Sequence, residues 1–162
     1  AARVKGTKAK IYDTRKTLPG WRELEKYAVR CGGGKNHRMG LYDAVLVKDN
    51  HWHRQGDLAL AVVTLRRRHP AITVEIEATN MPQVRFALGA KADIILLDNM
   101  SPPRLKMAIK HIRRHSPRTE IEISGGVSIK NLRVLARLGP DRISVGRITH
   151  SAPALDLSLE VV

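Results

Sequence analysis

The chain has 162 residues, 43% of them hydrophobic, 27% charged and 4% aromatic, a length at which one domain buries roughly two thirds of its unfolded surface, so disordered and collagen-like chains are excluded. No apolar run approaches the roughly 20 residues of a membrane-spanning helix, and the stretch from Ala1 to Lys10 lacks an apolar signal-peptide core. Twenty-nine Lys plus Arg against 15 Asp plus Glu give a net charge of +14 and a pI of about 10.6, which calls for an anionic partner, either nucleic acid or a small polyanion held by converging cations.

Short apolar, β-branched runs recur at Ala9–Asp13, Ala44–Lys48, Ile72–Glu77, Asp93–Asp98, Glu120–Ser124 and Arg142–Val145, with room for one helix between successive runs. Helix starts are expected after Pro19-Gly20, at Asn80, at Ser101-Pro102 and at Ser128, and stops at Cys31–Gly34, Gly89 and Gly139-Pro140, where glycine can take the left-handed conformation. The arginine runs 66–68 and 113–114 read as solvated helix faces, and Trp21, Trp52 and Cys31 as packing residues. The segment Leu155–Val162 alternates apolar and polar residues and predicts an edge strand. No low-complexity linker interrupts the chain, so a single α/β domain over 1–162 is expected.

Alternation puts Val74 and Ile76 on one strand face with Glu75 and Glu77 on the other, and groups Glu120, Glu122 and Ser124. Helices can cover only the apolar face. Carboxylates on the second face need cations, a metal or water around them, which favours the polar lumen of a (β/α) barrel, open or incomplete with about six parallel strands, over a sheet covered on both sides. In such folds chemistry gathers at the carboxyl ends of the strands. Those ends carry Asp13 to Lys16, Lys48 to His51, Glu77, Asp98-Asn99, Ser124 to Gly126, and Gly146-Arg147 with His150, while Asn36-His37-Arg38 lies just ahead of the second strand.

Two charge sets emerge. Arg15, Lys16, His37, Arg38 and Lys48 suit carboxylates, and Glu77 with Asp98 suits Mg²⁺ held directly or through water. Internal ion pairs among the same charges are the competing explanation. Ser124-Gly125-Gly126, completed by Gly146, suits a phosphate. The run Cys31 to Lys35 lacks the spacing of a nucleotide-binding phosphate loop, no pair among the seven histidines lies in an H-E-x-x-H zinc motif, and the His51-Trp52-His53 triplet is read as loop; Ser124 and Ser151 lack a hydrolase elbow. A lone cysteine cannot close an internal disulfide, so a reducing, cytoplasmic setting is expected.

Six segments then match one family in order and approximate spacing: Asp-Thr-Arg-Lys-Thr (13–17), Gly-Gly-Gly-Lys-Asn-His-Arg-Met-Gly-Leu (32–41), Lys-Asp-Asn-His (48–51), Leu-Leu-Asp-Asn-Met (96–100), Ser-Gly-Gly (124–126) and Ser-Val-Gly-Arg-Ile-Thr-His-Ser-Ala-Pro (144–153). Across nearly the whole chain the sequence resembles the quinolinate phosphoribosyltransferases. The resemblance implies a type II phosphoribosyltransferase barrel that converts quinolinate and phosphoribosyl pyrophosphate (PRPP), with Mg²⁺, into nicotinate mononucleotide, pyrophosphate and CO₂ in NAD biosynthesis. It places Arg15, Lys16, His37, Arg38 and Lys48 on the quinolinate carboxylates or nearby pyrophosphate, and Glu77 and Asp98 on the ribose hydroxyls and metal. It places Ser124, Gly125, Gly126, Gly146 and His150 at the phosphate, with Lys16, Lys48, Glu77 and Asp98 as the catalytic set.

The resemblance also implies a homodimer or higher homo-oligomer in which an amino-terminal sandwich domain, not seen in this sequence, caps the neighbouring barrel. Its alternatives are a barrel that is inactive without that domain, a related transferase with another substrate, and a basic nucleic-acid-binding fragment. The last is disfavoured because no RNA-binding aromatic signature accompanies the charge. Lys35 and Arg147 depart from the small or uncharged residues the family pattern suggests.

Overall fold

A computed structural model describes residues 1–161. Its elements are β1 (Lys10–Tyr12), α1 (Arg22–Cys31), β2 (Ala44–Val47), α2 (Gln55–Arg68), β3 (Thr73–Ala78), α3 (Met81–Gly89), β4 (Ile94–Asp98), α4 (Pro102–His115), β5 (Glu120–Ser124), α5 (Leu132–Arg137), β6 (Arg142–Ser144) and α6 (Arg147–His150), with 3₁₀ turns at Ala2–Val4 and Asp49–Arg54. Every strand lies inside or within a residue of its expected run. All pair in parallel in one sheet of order β1-β6-β5-β4-β3-β2.

The alternation inferred from sequence decides what each face meets. Val74, Ile76, Ile95, Leu97, Ile121, Ile123 and Ile143 are at most 1% exposed and pack with Val84, Ala87, Leu105, Ala108 and Ile112 from the helices. Each such side chain contributes about 1.5–3 kcal/mol by leaving water. The opposite face presents Glu75, Glu77, Glu122 and Ser144, all buried. One cavity touches the carboxyl ends of all six strands, so the sheet is curled around it, as in an open barrel.

β1 and β2 form the two sheet ends and do not pair with each other. The segment 35–38 bridges that interval: the Asp13 amide donates to the Lys35 carbonyl and the Lys35 amide to Ile11, while the Arg38 guanidinium donates to the Ala44 carbonyl on β2 at 2.9 Å. Unpaired edge groups are thereby satisfied without a further strand.

Several local expectations are corrected. Leu155 to Val161 form no strand, and Leu155, Leu157, Leu159 and Val161 are exposed; alternation alone supplies no pairing partner, and Val162 lies outside the described residues. Asn80 does cap α3, accepting from the Gln83 amide, but Gly89 stays helical and Lys91 takes the left-handed turn. Ser101 caps no amide; α5 opens at Leu132, in the stretch expected to follow Ser128, but Ser128 is not its cap and its own amide donates to Asn131 Oδ1. Trp52 packs edge-on against Phe86, whereas Trp21 and Cys31 are exposed. Arg66 and Arg113 clamp Asp93 and Asp141 instead of facing only water. The side chain of His53 lies outside the described residues. No helix among the described residues is long and apolar enough to cross a membrane.

Candidate active site

The cavity at the strands' carboxyl ends has a volume of about 620 Å³ and is lined by Arg15, Lys16, His37, Arg38, Lys48, Glu77, Asp98, Ser124, Gly125, Gly126, Gly146 and His150. Every residue given a site role from sequence therefore borders one space, whereas Asp13, Asn36, Asn50 and His51 of the strand-end clusters do not line it. Asp49, Glu122, Ser144 and Arg147 join them.

The cationic wall is built by a buried anchor. Lys26 and Asp13, 1% and 0% exposed, pair at 2.7 Å. Asp13 also accepts from the His37 amide at 2.6 Å and from Asn36 Nδ2 at 2.7 Å, and Lys26 donates to the His37 carbonyl at 2.9 Å. Every charge in this knot is hydrogen-bonded, which a dry interior requires. It fixes the turn that carries His37 and Arg38. Arg22 staples the opposite loop by donating to the Arg15 and Met39 carbonyls and to Thr17. Thr149 ties Lys16 to the β6 end by donating to the Lys16 carbonyl at 2.6 Å.

The wall is poised for an anion. Burial and the neighbouring charge of Arg15 lower the Arg38 pKa below its usual value, and Arg15 Nε is buried without a partner. Two guanidinium groups held close with an unmet donor are relieved by a carboxylate or phosphate, to which each charge-assisted bond contributes about 1.5–3 kcal/mol.

Across the cavity, Lys48 Nζ lies 3.7 Å from Glu77 Oε2. Burial raises the Glu77 pKa; Lys48 opposes that rise, and the carboxylates of Asp98 and Asp49 add to it. An all-oxygen donor set crowded in this way fits a hard cation such as Mg²⁺, which takes one or two carboxylates and keeps water or phosphate on its other sites.

The third wall is the β5 and β6 ends. Gly125 and Gly126 have φ of 84° and 59°, and a Cβ on Gly125 would fall 2.3 Å from Asn99 Oδ1, so only glycine fits this turn. A Cβ on Gly146 would fall 3.0 Å from His150 Nε2, so glycine there lets the ring approach the backbone.

The floor was less legible from sequence. His37 Nε2 lies 3.0 Å from Glu75 Oε2 and 3.6 Å from Glu122 Oε1, and one ligand atom from each of the three residues lies within 4.8 Å of the others. The donor types suit a transition metal. His37 Nδ1, however, accepts the Arg38 amide at 3.0 Å, which leaves the ring proton on Nε2, facing the carboxylates. The trio is therefore a hydrogen-bonded cluster. Burial lowers the His37 pKa, and Glu75 more than offsets it, so the net direction is upward. The Glu122 carboxyl is pushed up to about 7 by burial and by the Glu75 charge.

Asp13, Lys26, Glu75, Glu122, Ser144 and Thr149 thus shape the site without having been assigned to it from sequence. For the glutamates the signal was their inward alternation. For Lys26 it was a cation in register with Arg22 and Val29 on the inner stripe of α1.

A curled parallel sheet whose carboxyl-end cavity is lined by both cations and carboxylates defines an α/β-barrel domain with its charged cavity where such folds place their sites. Residues 1–160 match the family described as quinolinate phosphoribosyl transferase, C-terminal domain, and the chain belongs to that family. It is 43% identical over 158 residues to the nicotinate-nucleotide pyrophosphorylase [carboxylating] of Mycobacterium leprae, covering 98% of this chain and 56% of that one. It is 46% identical over 154 residues to the probable enzyme of that name from Synechocystis, covering 94% and 52%. Among solved structures, the nicotinate-nucleotide pyrophosphorylase from Francisella tularensis superposes with a TM-score of 0.87 at 42% identity, covering 97% of this chain and 54% of that one. The chain spans about half the length of the curated relatives it matches.

Proposed function

We propose that this domain transfers the phosphoribosyl group of PRPP to quinolinate with decarboxylation, giving nicotinate mononucleotide, pyrophosphate and CO₂. The observation that carries the reading is the convergence of Arg15, Lys16, His37, Arg38 and Lys48 with Glu77 and Asp98 around one cavity. In this reading the cations hold the pyridine dicarboxylate and the nearby pyrophosphate. Glu77 and Asp98 hold the ribose hydroxyls, and Ser124, Gly125, Gly126, Gly146 and His150 hold the phosphate.

Lys16, Lys48, Glu77 and Asp98 form the catalytic set. They border the space where the ribose centre gains positive charge as the pyridine nitrogen attacks and pyrophosphate leaves, so their work is positioning and electrostatic stabilisation. Mg²⁺, held by Glu77 and Asp98 directly or through water, would neutralise charge on the leaving pyrophosphate.

The reading includes a reducing, cytoplasmic setting, which suits the exposed thiol of Cys31. It also includes a homodimer with an amino-terminal domain capping the neighbouring barrel. Trp21, Leu24, Tyr27, Leu41 and Tyr42, all exposed, are apolar surface that such a contact would cover.

The test is turnover of quinolinate with PRPP and Mg²⁺, with nicotinic acid for comparison. Product from quinolinate alone, abolished by chelator, is expected; turnover of nicotinic acid alone would overturn the substrate assignment. Arg38→Ala and Lys48→Ala are each expected to weaken quinolinate binding more than tenfold by calorimetry. Unchanged affinity in both would remove the cationic wall from the substrate site.

A further inference from the structure

Three groups in and around the barrel have chemistry that the proposed reaction does not use. The His111 and His115 rings stack on α4 at 4.2 Å, but two ligands on one helix face are a poor metal site. The apolar groove on α2 around Leu60 and Leu65 has nothing that names its occupant. The floor of the cavity carries more.

Glu122 is fully buried and lines the cavity. Its Oε1 accepts the Ser144 hydroxyl and lies 3.6 Å from His37 Nε2, while its Oε2 has no protein partner. Glu75 also has a buried oxygen without a partner, Oε1, but its Oε2 lies nearer His37 Nε2, at 3.0 Å against 3.6 Å for Glu122, so of the two carboxyls Glu75 is the one the ring proton faces and Glu122 the one left to hold its own. A second ionised carboxylate beside it, with a bare buried oxygen, would lack the donors it needs. The neutral acid fits every contact: Oε1 is the carbonyl oxygen that accepts from Ser144, and Oε2 carries a proton that no protein atom receives.

We infer that Glu122 is a neutral carboxylic acid whose Oε2–H donates to a carboxylate of the bound pyridine, making it a specificity-determining residue of the quinolinate site. The inference rests on the proposed function. In its ionised form Glu122 would repel the dianion that the cationic wall attracts; as the neutral acid it adds a hydrogen bond. The groups facing it are Glu75 from β3, His37 from the segment before β2, and Ser144 and Arg142 from β6, with apolar Leu96 beside it on β4. The Arg142 guanidinium is engaged with Glu120. Deprotonation of Glu122, pushed up to about 7 by burial and Glu75, therefore leaves its charge facing only the Ser144 hydroxyl and a His37 ring that lies closer to Glu75.

Two measurements on the full chain test this. Difference infrared spectroscopy of the ligand-free protein against Glu122→Gln is expected to lose a protonated-carboxyl C=O band that is present at pH 5.5 and absent at pH 9. No such band would overturn the neutral acid whether or not any ligand binds. Calorimetric titration with quinolinate is expected to show wild-type affinity falling at least tenfold between pH 6 and pH 8.5. In Glu122→Gln, whose amide keeps a donor, only the smaller fall contributed by loss of the His37 proton is expected over that range, and in Glu122→Leu affinity is expected to be weak throughout. Circular dichroism of each variant separates misfolding from lost binding.

Equal pH dependence in wild type and Glu122→Gln would overturn the assignment of the donor while leaving quinolinate as the ligand. Absence of quinolinate binding by wild type at every pH, with the infrared band present, would overturn the functional reading and with it the ligand named here.

Discussion

The two ends of the barrel use carboxylates in opposite ways. At the amino end, Asp93 and Asp141 stand just ahead of β4 and β6 and do the same job. Each accepts the amide of the neighbouring strand at 2.8 Å, Val74 or Ile121, and each takes an arginine from a preceding helix, Arg66 from α2 or Arg113 from α4. Although burial works against it, the Arg113 guanidinium, the Ile121 amide and Lys8 hold the Asp141 pKa below the usual carboxylate range. At the carboxyl end, Glu77 and Glu122 are pushed upward by burial and by other carboxylates, and buried oxygens of Glu75 and Glu122 have no partner. The amino-end carboxylates find their partners within the fold, even though Arg66 Nε there is left without one; the carboxyl-end carboxylates keep unmet oxygens beside the cavity.

The Lys26–Asp13 pair is the exception at the carboxyl end, because it is fully paired, and it marks where stability and site meet. Lys26→Ala would leave Asp13 buried and ionised, and is expected to cost about 3–5 kcal/mol in urea denaturation. Quinolinate binding should suffer as well, because the anchor holds His37 and Arg38. A loss below about 1 kcal/mol would mean that water replaces the ammonium and that the knot is not what fixes the turn.

The pH dependence of stability should separate the two ends by sign. Glu122 has a raised folded-state pKa, so the folded protein holds a proton that the unfolded chain gives up above its ordinary carboxyl pKa. Its contribution is present at low pH and is lost as pH rises toward about 7, a change of roughly 3 kcal/mol. Asp141 has a lowered pKa, so its contribution is present above the ordinary Asp pKa and is lost as pH falls through the depressed one. Thermal melts should show Glu122→Gln flattening the neutral limb and Asp141→Asn the acid limb. A variant that flattened the other limb would break the comparison.

The sequence made the outer half of this arrangement easy to read, because alternation in Ile72–Glu77 and Glu120–Ser124 and polar clusters at strand ends are local patterns. Strands, rim residues and the acidic lumen followed from them. What was hidden depends on contacts distant in sequence. Lys26 looks like any helix lysine until Asp13 is beneath it, and Glu122 looks like one more inward carboxylate until Glu75 and Ser144 surround it. The tail from Leu155 erred the other way, since its alternation is a strand pattern with no strand to pair with among the described residues. Arg66 and Arg113 read as surface because charge runs do not reveal which member turns back to the sheet.

The smallest expected effects test whether pairing at the amino end comes from contact or from sign alone. Asp141 meets two cations: Arg113, 27% exposed, and Lys8, 50% exposed at 2.9 Å. Arg113 also donates to the Thr119 carbonyl at 2.9 Å, so Arg113→Ala removes several hydrogen bonds around a half-buried carboxylate and is expected to cost about 2 kcal/mol. Lys8→Ala removes one exposed partner, and water and salt screen what remains, so a loss of about 0.5 kcal/mol is expected, fading in high salt. Equal losses for the two variants in urea denaturation at low salt, both fading at high salt, would mean that net charge near Asp141, and not the geometry of its partners, holds this end together.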